Sequence, residues 1–177
     1  MKIVIPDFSL VLILGPSGAG KSTFARTHFK QTEIVSSDVC RGLVSDDENN
    51  QNATIAAFEV LHLIVRKRLE AHKRTVVDAT NILARSRKAL LDMAKKFKCA
   101  PVAIVLNLPE AICQKRNLKR SDREVPPYKI TQQWEQMRRS IPLLKDEGFK
   151  HIYILSSPEE VDHLIVVGRA GIEPATP

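Results

Sequence analysis

One glycine-rich segment near the amino terminus constrains the fold of this chain most strongly. An apolar run at residues 10–14 is followed by Gly15-Pro16-Ser17-Gly18-Ala19-Gly20-Lys21-Ser22, which has the spacing G-x-x-x-x-G-K-S, and then by a predicted helix over residues 21–29. A buried strand, a loop of this spacing and a helix are the structural context of a phosphate-binding loop. A random chain of this length would match the spacing about once in a hundred times or fewer, so we interpret the segment as functional.

The residue types in this loop suit an anion. Gly15, Gly18 and Gly20 are predicted to take positive φ, so that successive N–H groups turn inward around a phosphate. We expect Lys21 to place its charge between the β- and γ-phosphates of ATP or another NTP, and Ser22 to offer its hydroxyl to Mg²⁺. The predicted nucleotide contacts in the loop are Gly15, Ser17, Gly18, Ala19, Gly20, Lys21, Ser22 and Thr23.

Composition narrows the class of protein. With 177 residues and 44% hydrophobic content, the chain can bury the core of one domain. Its three cysteines are far apart and lack a C-x-x-C spacing, which predicts neither a disulfide framework nor a zinc site and favours a reducing cytoplasm. No apolar run is long enough to cross a bilayer, and Pro6 and Asp7 interrupt the stretch that superficially resembles a signal peptide. We therefore expect a cytoplasmic protein with no membrane partner; the net charge of +7 favours polyanions but is weak evidence alone.

The apolar pattern alternates between strands and helices. Strands are predicted at residues 2–5, 10–14, 33–36, 75–78, 102–106 and 151–155, and helices at 21–29, 52–72, 83–98, 109–120 and 130–141. Near-continuous apolar strands between helices predict an α/β fold with a parallel sheet covered by helices on both faces. The first strand is predicted at an edge, where an antiparallel orientation is plausible. We expect one domain over residues 1–167 and a disordered tail at 168–177.

Two carboxylates follow predicted strands at the edge where parallel sheets bind ligands. Asp38, with Arg41 three residues on, could deprotonate an acceptor hydroxyl, which typically contributes about 10² to 10⁴ in rate. Arg41 could then neutralise the γ-phosphate or hold an acceptor phosphate. The alternative is a helix-capping Asp beside an unrelated exposed Arg. Asp78 could support Mg²⁺ through water, or serve as an acceptor-binding or structural acid.

Three arginines form the last motif. Arg116 and Arg120 are spaced i, i+4 and Arg123 follows one turn later if the helix persists. On a mobile lid spanning about residues 110–127 they could close over the donor nucleotide. The alternative is a solvated basic helix face, partly neutralised by nearby acids.

In combination these motifs resemble the N-terminal kinase module of the bacterial polynucleotide kinase-phosphatases that repair broken RNA ends. The resemblance runs from residue 1 to about 166 and is carried by residues 15–23, 36–42, 45–49 and 77–81 together with the three arginines. It implies a P-loop kinase fold and Mg²⁺-dependent transfer of the γ-phosphate of an NTP to the 5′-OH end of RNA or DNA. It also implies that Lys21 and Ser22 are the phosphate and metal ligands, Asp38 the general base, Arg41 a ligand near the reacting phosphate, and Arg116, Arg120 and Arg123 the lid contacts to the donor.

The sequence departs from that family in one respect and leaves two alternatives open. Relatives continue into phosphatase and ligase-like domains, whereas this sequence ends at Pro177, so we expect those activities on another chain or missing. The chain could instead be a kinase of a small metabolite or nucleoside hydroxyl. It could also be a nucleotide-dependent switch without transfer activity.

Overall fold

The computed structural model describes residues 2–120 and 125–169. Its strands are β1 (Lys2–Pro6), β2 (Ser9–Leu14), β3 (Ile34–Ser36), β4 (Thr75–Asp78), β5 (Ala100–Leu106), β6 (His151–Leu155) and β7 (Ile165–Arg169). Its α-helices are α1 (Lys21–His28), α2 (Ser37–Ser45), α3 (Thr54–Glu70), α4 (Ala84–Lys96), α5 (Glu110–Leu118), α6 (Pro127–Ser140) and α7 (Pro158–Asp162). Short 3-10 helices span Gln31–Glu33, Gln51–Ala53 and Ile141–Glu147. Within these described ranges, no helix has the length and apolarity that a bilayer crossing requires.

Five of the strands form one fully parallel sheet in the order β3-β4-β2-β5-β6. The central strand β2 is buried along its whole length. Leu10 and Leu12 point into one hydrophobic cluster, whereas Val11 and Ile13 point into the other, so the sheet has an apolar core on each face. The predicted α/β fold, with a parallel sheet covered on both sides, is confirmed.

The amino-terminal strand differs from the prediction. β1 does not lie antiparallel at the edge of the main sheet; it pairs in parallel with β7 in a separate two-stranded sheet, with Lys2 opposite Ile165. Ile3 and Ile5 are buried in the second cluster, which attaches this small sheet to the domain. β7 itself was not predicted, and it continues through Gly168 and Arg169, where the sequence suggested the start of a disordered tail. The rest of that tail lies outside the described residues.

Helix α2 was not predicted from the sequence either, and it carries the candidate site residues Asp38 and Arg41. The Ser36 hydroxyl caps it by accepting a hydrogen bond from the Val39 N–H at 3.5 Å. The helix ends at Ser45, and the next residue, Asp46, takes a left-handed conformation with φ of 56°. Asp38 therefore lies in the first turn of a helix rather than in a loop after β3.

Candidate functional site

A cleft of about 490 Å³ opens at the carboxyl ends of β2, β3 and β4. Most of the residues predicted from the sequence line it together: Ser17, Gly18, Gly20, Lys21, Ser22, Thr23, Asp38, Arg41, Asp78, Arg116 and Arg120. Gly15 and Ala19 belong to the same loop but are buried behind the cleft surface. Arg123, the third predicted arginine, lies outside the described residues.

The phosphate-binding loop needs glycine for two different reasons. Gly18 and Gly20 have φ of 81° and 93°, as predicted. The prediction of positive φ for Gly15 was wrong; glycine is favoured there because a Cβ would lie 3.2 Å from the main-chain oxygen of Leu106. At Gly18 a Cβ would lie only 2.2 Å from the carbonyl oxygen of Cys113 on α5, so the loop and that helix are in tight contact.

One peptide group of this loop is held at both ends. The Nζ of Lys21 donates to the carbonyl oxygen of Pro16 at 2.9 Å, and the next N–H, that of Ser17, donates to Oε1 of Gln133 at 2.8 Å. Helix α1 begins directly after the loop and carries no acidic residue in its first turn. Its N-terminal dipole is therefore available to an anion in the cleft.

Asp38 and Arg41 form a fixed ion pair at the opposite wall of the cleft. Nη1 of Arg41 lies 2.6 Å from Oδ1 of Asp38 and also donates to the main-chain oxygen of Glu48 at 2.7 Å. The Arg41 side chain is only 5% exposed, whereas that of Asp38 is 32% exposed. The alternative of a capping Asp beside an unrelated exposed Arg is wrong, because Ser36 provides the cap and Arg41 is buried against Asp38.

Asp78 and Ser22 offer the oxygen atoms that a magnesium ion would need. Asp78 is nearly buried at the end of β4, and both residues line the cleft. Among the residues that the structure describes, there is no cluster of three or more metal-ligating side chains. A hydroxyl and one carboxylate suit Mg²⁺ near a nucleotide, because this ion keeps several water ligands and takes others from phosphate oxygens. Ser22 and Asp78 therefore fit a magnesium ion, which they could bind directly or through water.

The backbone after Asp78 is fixed by buried polar contacts. Nδ2 of Asn81 donates to the main-chain oxygen of Ile13 at 3.0 Å, and the main-chain oxygen of Thr80 accepts a hydrogen bond from the Gly15 N–H at 3.2 Å. The fully buried Arg87 donates to the carbonyl oxygen of Asn81 at 2.7 Å. These contacts hold the end of β4 against the phosphate-binding loop.

The guanidinium of Arg87 also donates hydrogen bonds to two further side chains, those of Glu147 and Ser140. Its Nε donates to Glu147 at 2.6 Å, a second hydrogen bond joins Nη2 to the same carboxylate, and Nη2 also donates to the hydroxyl of Ser140 at 2.7 Å. A buried guanidinium with this many partners is a structural element rather than part of the cleft.

Two arginines of the predicted motif, Arg116 and Arg120, line the cleft from different local structures. Arg116 lies in α5, and its Nη1 donates to the main-chain oxygen of Ala19 at 3.4 Å. The helix ends at Leu118, two residues before its predicted end, so Arg120 follows the helix and still lines the cleft.

Several cleft residues were not found from the sequence. They are Arg26, Ser37, Gln51, Thr54, Phe58 and Gln133. Ser37 is adjacent to Asp38. Phe58 belongs to the apolar stripe of α3 and packs against the first hydrophobic cluster, so the pattern predicted its place in the core but not its contact with the cleft. The other four are polar or charged helical residues, which the apolar pattern does not report. Gln133 in particular precedes the half-buried Trp134 and has no motif around it.

The fold and the loop together define a P-loop kinase architecture, which implies nucleotide binding. Residues 10–144 match the family model AAA_33, described as an AAA domain, and the chain belongs to this family. The P-loop kinase fold expected from the sequence is thereby confirmed.

Individual relatives are distant. The chain is 26% identical over 160 residues to Transcription factor bHLH140 of Arabidopsis thaliana, covering 88% of this chain and 17% of that protein. It resembles a chain of the Pnkp1/Rnl/Hen1 RNA repair complex, with a TM-score of 0.66 at 24% identity, covering 76% of this chain and 45% of the other. It also resembles a gluconokinase from Sinorhizobium meliloti 1021, with a TM-score of 0.55 at 14% identity, covering 89% and 87% of the two chains. The chain thus spans less than half the length of the first two relatives.

Proposed function

We propose that this chain is a polynucleotide 5′-hydroxyl kinase, which transfers the γ-phosphate of ATP or another NTP to the 5′-OH end of RNA or DNA. The observation that carries the proposal is the position of Asp38. Its carboxylate lies in the same cleft as the phosphate-binding loop and is held at 2.6 Å by the buried Arg41. A phosphoryl transfer to a hydroxyl needs a base at this place.

One wall of the cleft carries the base for the acceptor hydroxyl, and the other carries the groups that bind the phosphates. Asp38 accepts the proton of the acceptor hydroxyl while that oxygen bonds to the γ-phosphorus and the bond between the γ-phosphorus and the β–γ bridging oxygen breaks, releasing the nucleoside diphosphate. Lys21, Arg116 and Arg120 stabilise the negative charge of the transferring group and the leaving diphosphate. Arg41 keeps the base in place. Ser22 and Asp78 would hold Mg²⁺, which supplies further neutralisation of phosphate charge when bound.

The surface next to Asp38 supports a nucleic-acid acceptor. Val39 and Leu43 on α2 are 47% and 71% exposed, and Ile55 on α3 is 78% exposed. These two helices also carry the cleft residues Asp38 and Thr54. Exposed aliphatic side chains offer nothing to a small hydrophilic acceptor, whereas a nucleobase can bury apolar surface by packing its face against them. The similarity to a chain of an RNA repair complex points the same way.

A small-metabolite kinase is the second candidate. It is favoured by the similarity to a gluconokinase, which extends over 89% of this chain. Such an enzyme would use Asp38 in the same way on a sugar hydroxyl. A nucleotide-dependent switch without transfer activity is the third; it would bind ATP and form no product.

A panel of acceptors separates these functions. We would incubate the chain with Mg²⁺ and γ-labelled ATP, and offer 5′-OH RNA, 5′-OH DNA of the same sequence, both oligonucleotides with a 5′-phosphate, and gluconate, shikimate and free nucleosides. Label on the 5′-OH oligonucleotides, and none on the 5′-phosphorylated ones, supports the proposal. Label on a metabolite alone, or ATP binding without any product, contradicts it. The expectation that phosphatase and ligase activities lie on another chain or are missing stays a prediction.

A further inference from the structure

Gln133 contacts the phosphate-binding loop from a distant part of the chain. It lies in α6, 116 residues from Ser17, and its Oε1 accepts the Ser17 N–H at 2.8 Å. Gln133 also lines the cleft, whereas Ser17 is only 7% exposed. The hydrogen bond therefore satisfies a backbone donor that has little access to water.

This hydrogen bond acts on the peptide group that holds Lys21. The Ser17 N–H and the Pro16 carbonyl belong to one planar peptide unit, and that carbonyl accepts a hydrogen bond from Nζ of Lys21 at 2.9 Å. Because the unit is planar, it cannot rotate at one end without moving the other. Gln133 thus fixes the acceptor that orients the lysine.

Helix α6 gives Gln133 a fixed base. Nε1 of Trp134, the next residue, donates to the main-chain oxygen of Leu108 at 3.0 Å. The hydroxyl of Thr131 donates to Oε1 of Glu110 at 2.5 Å, which connects α6 with α5. Helix α6 is therefore anchored on both sides of Gln133, at Thr131 and Trp134, and the Gln133 side chain need not order a flexible segment when it binds the loop.

We propose that Gln133 is a positioning residue for Lys21: by holding the Pro16–Ser17 peptide, it sets the place of the ammonium group at the phosphates of the bound nucleotide. The inference rests on the proposed function only in taking Lys21 as the phosphate ligand. Gln133 is not assigned a contact with the reacting atoms. Loss of the Gln133 side chain should therefore weaken ATP binding by displacing the Lys21 ammonium group.

The test is a double-substitution cycle read by ATP binding. Calorimetry gives the Kd for ATP in the wild type, Gln133→Met, Lys21→Met and the double variant; Met keeps the volume and removes the hydrogen-bonding group. Gln132→Met is the matched control, because Gln132 is exposed in the preceding position of the same helix. Thermal unfolding of each variant shows that the domain is intact.

We expect Gln133→Met to weaken ATP binding about tenfold when Lys21 is present and by less than about twofold in the Lys21→Met background. Gln132→Met should have no effect in either background. Equal weakening in both backgrounds would overturn the proposal, since it would show that Gln133 acts independently of the lysine, and no weakening in the wild-type background would overturn it too. The readout needs no acceptor, so failure of the proposed kinase activity appears separately, as an absence of transfer by a wild type that binds ATP.

Discussion

The guanidinium of Arg41 connects the candidate base Asp38 to the backbone of a neighbouring loop. One nitrogen, Nη1, lies 2.6 Å from Oδ1 of Asp38 and 2.7 Å from the carbonyl oxygen of Glu48. The carboxylate is partly exposed to the cleft, whereas the arginine behind it is buried. This arrangement fixes the direction of the Asp38 carboxylate.

Replacement of Arg41 by lysine should therefore reduce turnover. A lysine keeps the charge, but its side chain is one atom shorter, so its ammonium cannot occupy the place of Nη1 that contacts both partners and the carboxylate should lose its fixed position. We expect kcat to fall about 10²-fold, the cost typical of a displaced catalytic group, with ATP affinity within about threefold of the wild type. Steady-state transfer kinetics test this, with the exposed Arg66→Lys as the control. Wild-type kcat in Arg41→Lys would contradict the role given to the ion pair.

Arg87 should be important for folding rather than for the chemistry. Arg87→Met leaves the Glu147 carboxylate and the carbonyl group of Asn81 without their buried partner. Breaking a buried ion pair in this way typically costs about 3 to 5 kcal/mol of unfolding free energy. The adjacent Lys88 makes an exposed pair with Asp92, so Lys88→Met should change stability by less than about 0.5 kcal/mol. Urea denaturation compares the two, and similar midpoints would contradict the prediction.

Two glycines with positive φ should respond differently to alanine. At Gly18 a Cβ would lie 2.2 Å from the Cys113 carbonyl oxygen, so Gly18→Ala must displace the loop from α5. At Gly148, with φ of 99°, a Cβ meets no atom within 4 Å. We expect Gly148→Ala to cost only about 1 kcal/mol of backbone strain, and Gly18→Ala to lower kcat/KM about 10²-fold in addition. Transfer kinetics and denaturation of both variants distinguish the outcomes; a fully active Gly18→Ala would mean that the loop tolerates a shift.

Stability should decrease as the pH falls below neutrality. Burial lowers the pKa values of His28 and His62, and Nε2 of His62 is buried without a partner among the described residues. Between the lowered folded pKa and the ordinary imidazole value of about 6.5, the unfolded chain binds more protons than the folded one, so acid favours unfolding. His62→Leu should make this dependence shallower, with His28 still contributing. Denaturation midpoints from pH 7.5 down to about 5 measure it, and an unchanged slope in His62→Leu would contradict the assignment.

The sequence predicted the central part of the site because its signals are local. The apolar residues 10–14, the glycine spacing and the helix beginning at Lys21 all follow one another in the chain. The carboxyl ends of β3, which Asp38 closely follows, and of β4, which ends at Asp78, could be placed for the same reason, since parallel strands bring their carboxyl ends to one edge.

What the sequence did not predict depends on partners far away in the chain. β7 is a short strand with a glycine at its fourth position, and it forms because β1 pairs with it. Helix α2 is nine residues long and contains Gly42 and two valines, which lower its helix propensity, so its existence depends on packing against α3. The contact of Gln133 with Ser17 has no local signal at all.

The role of Asp38 as general base is tested by single-turnover transfer from γ-labelled ATP to a 5′-OH oligonucleotide by the wild type and by Asp38→Asn. Asparagine keeps the size of the side chain and cannot accept the proton. We expect Asp38→Asn to bind ATP with nearly the wild-type Kd and to transfer phosphate about 10² to 10⁴ times more slowly. Transfer by Asp38→Asn at the wild-type rate would contradict the claim that this carboxylate is the general base.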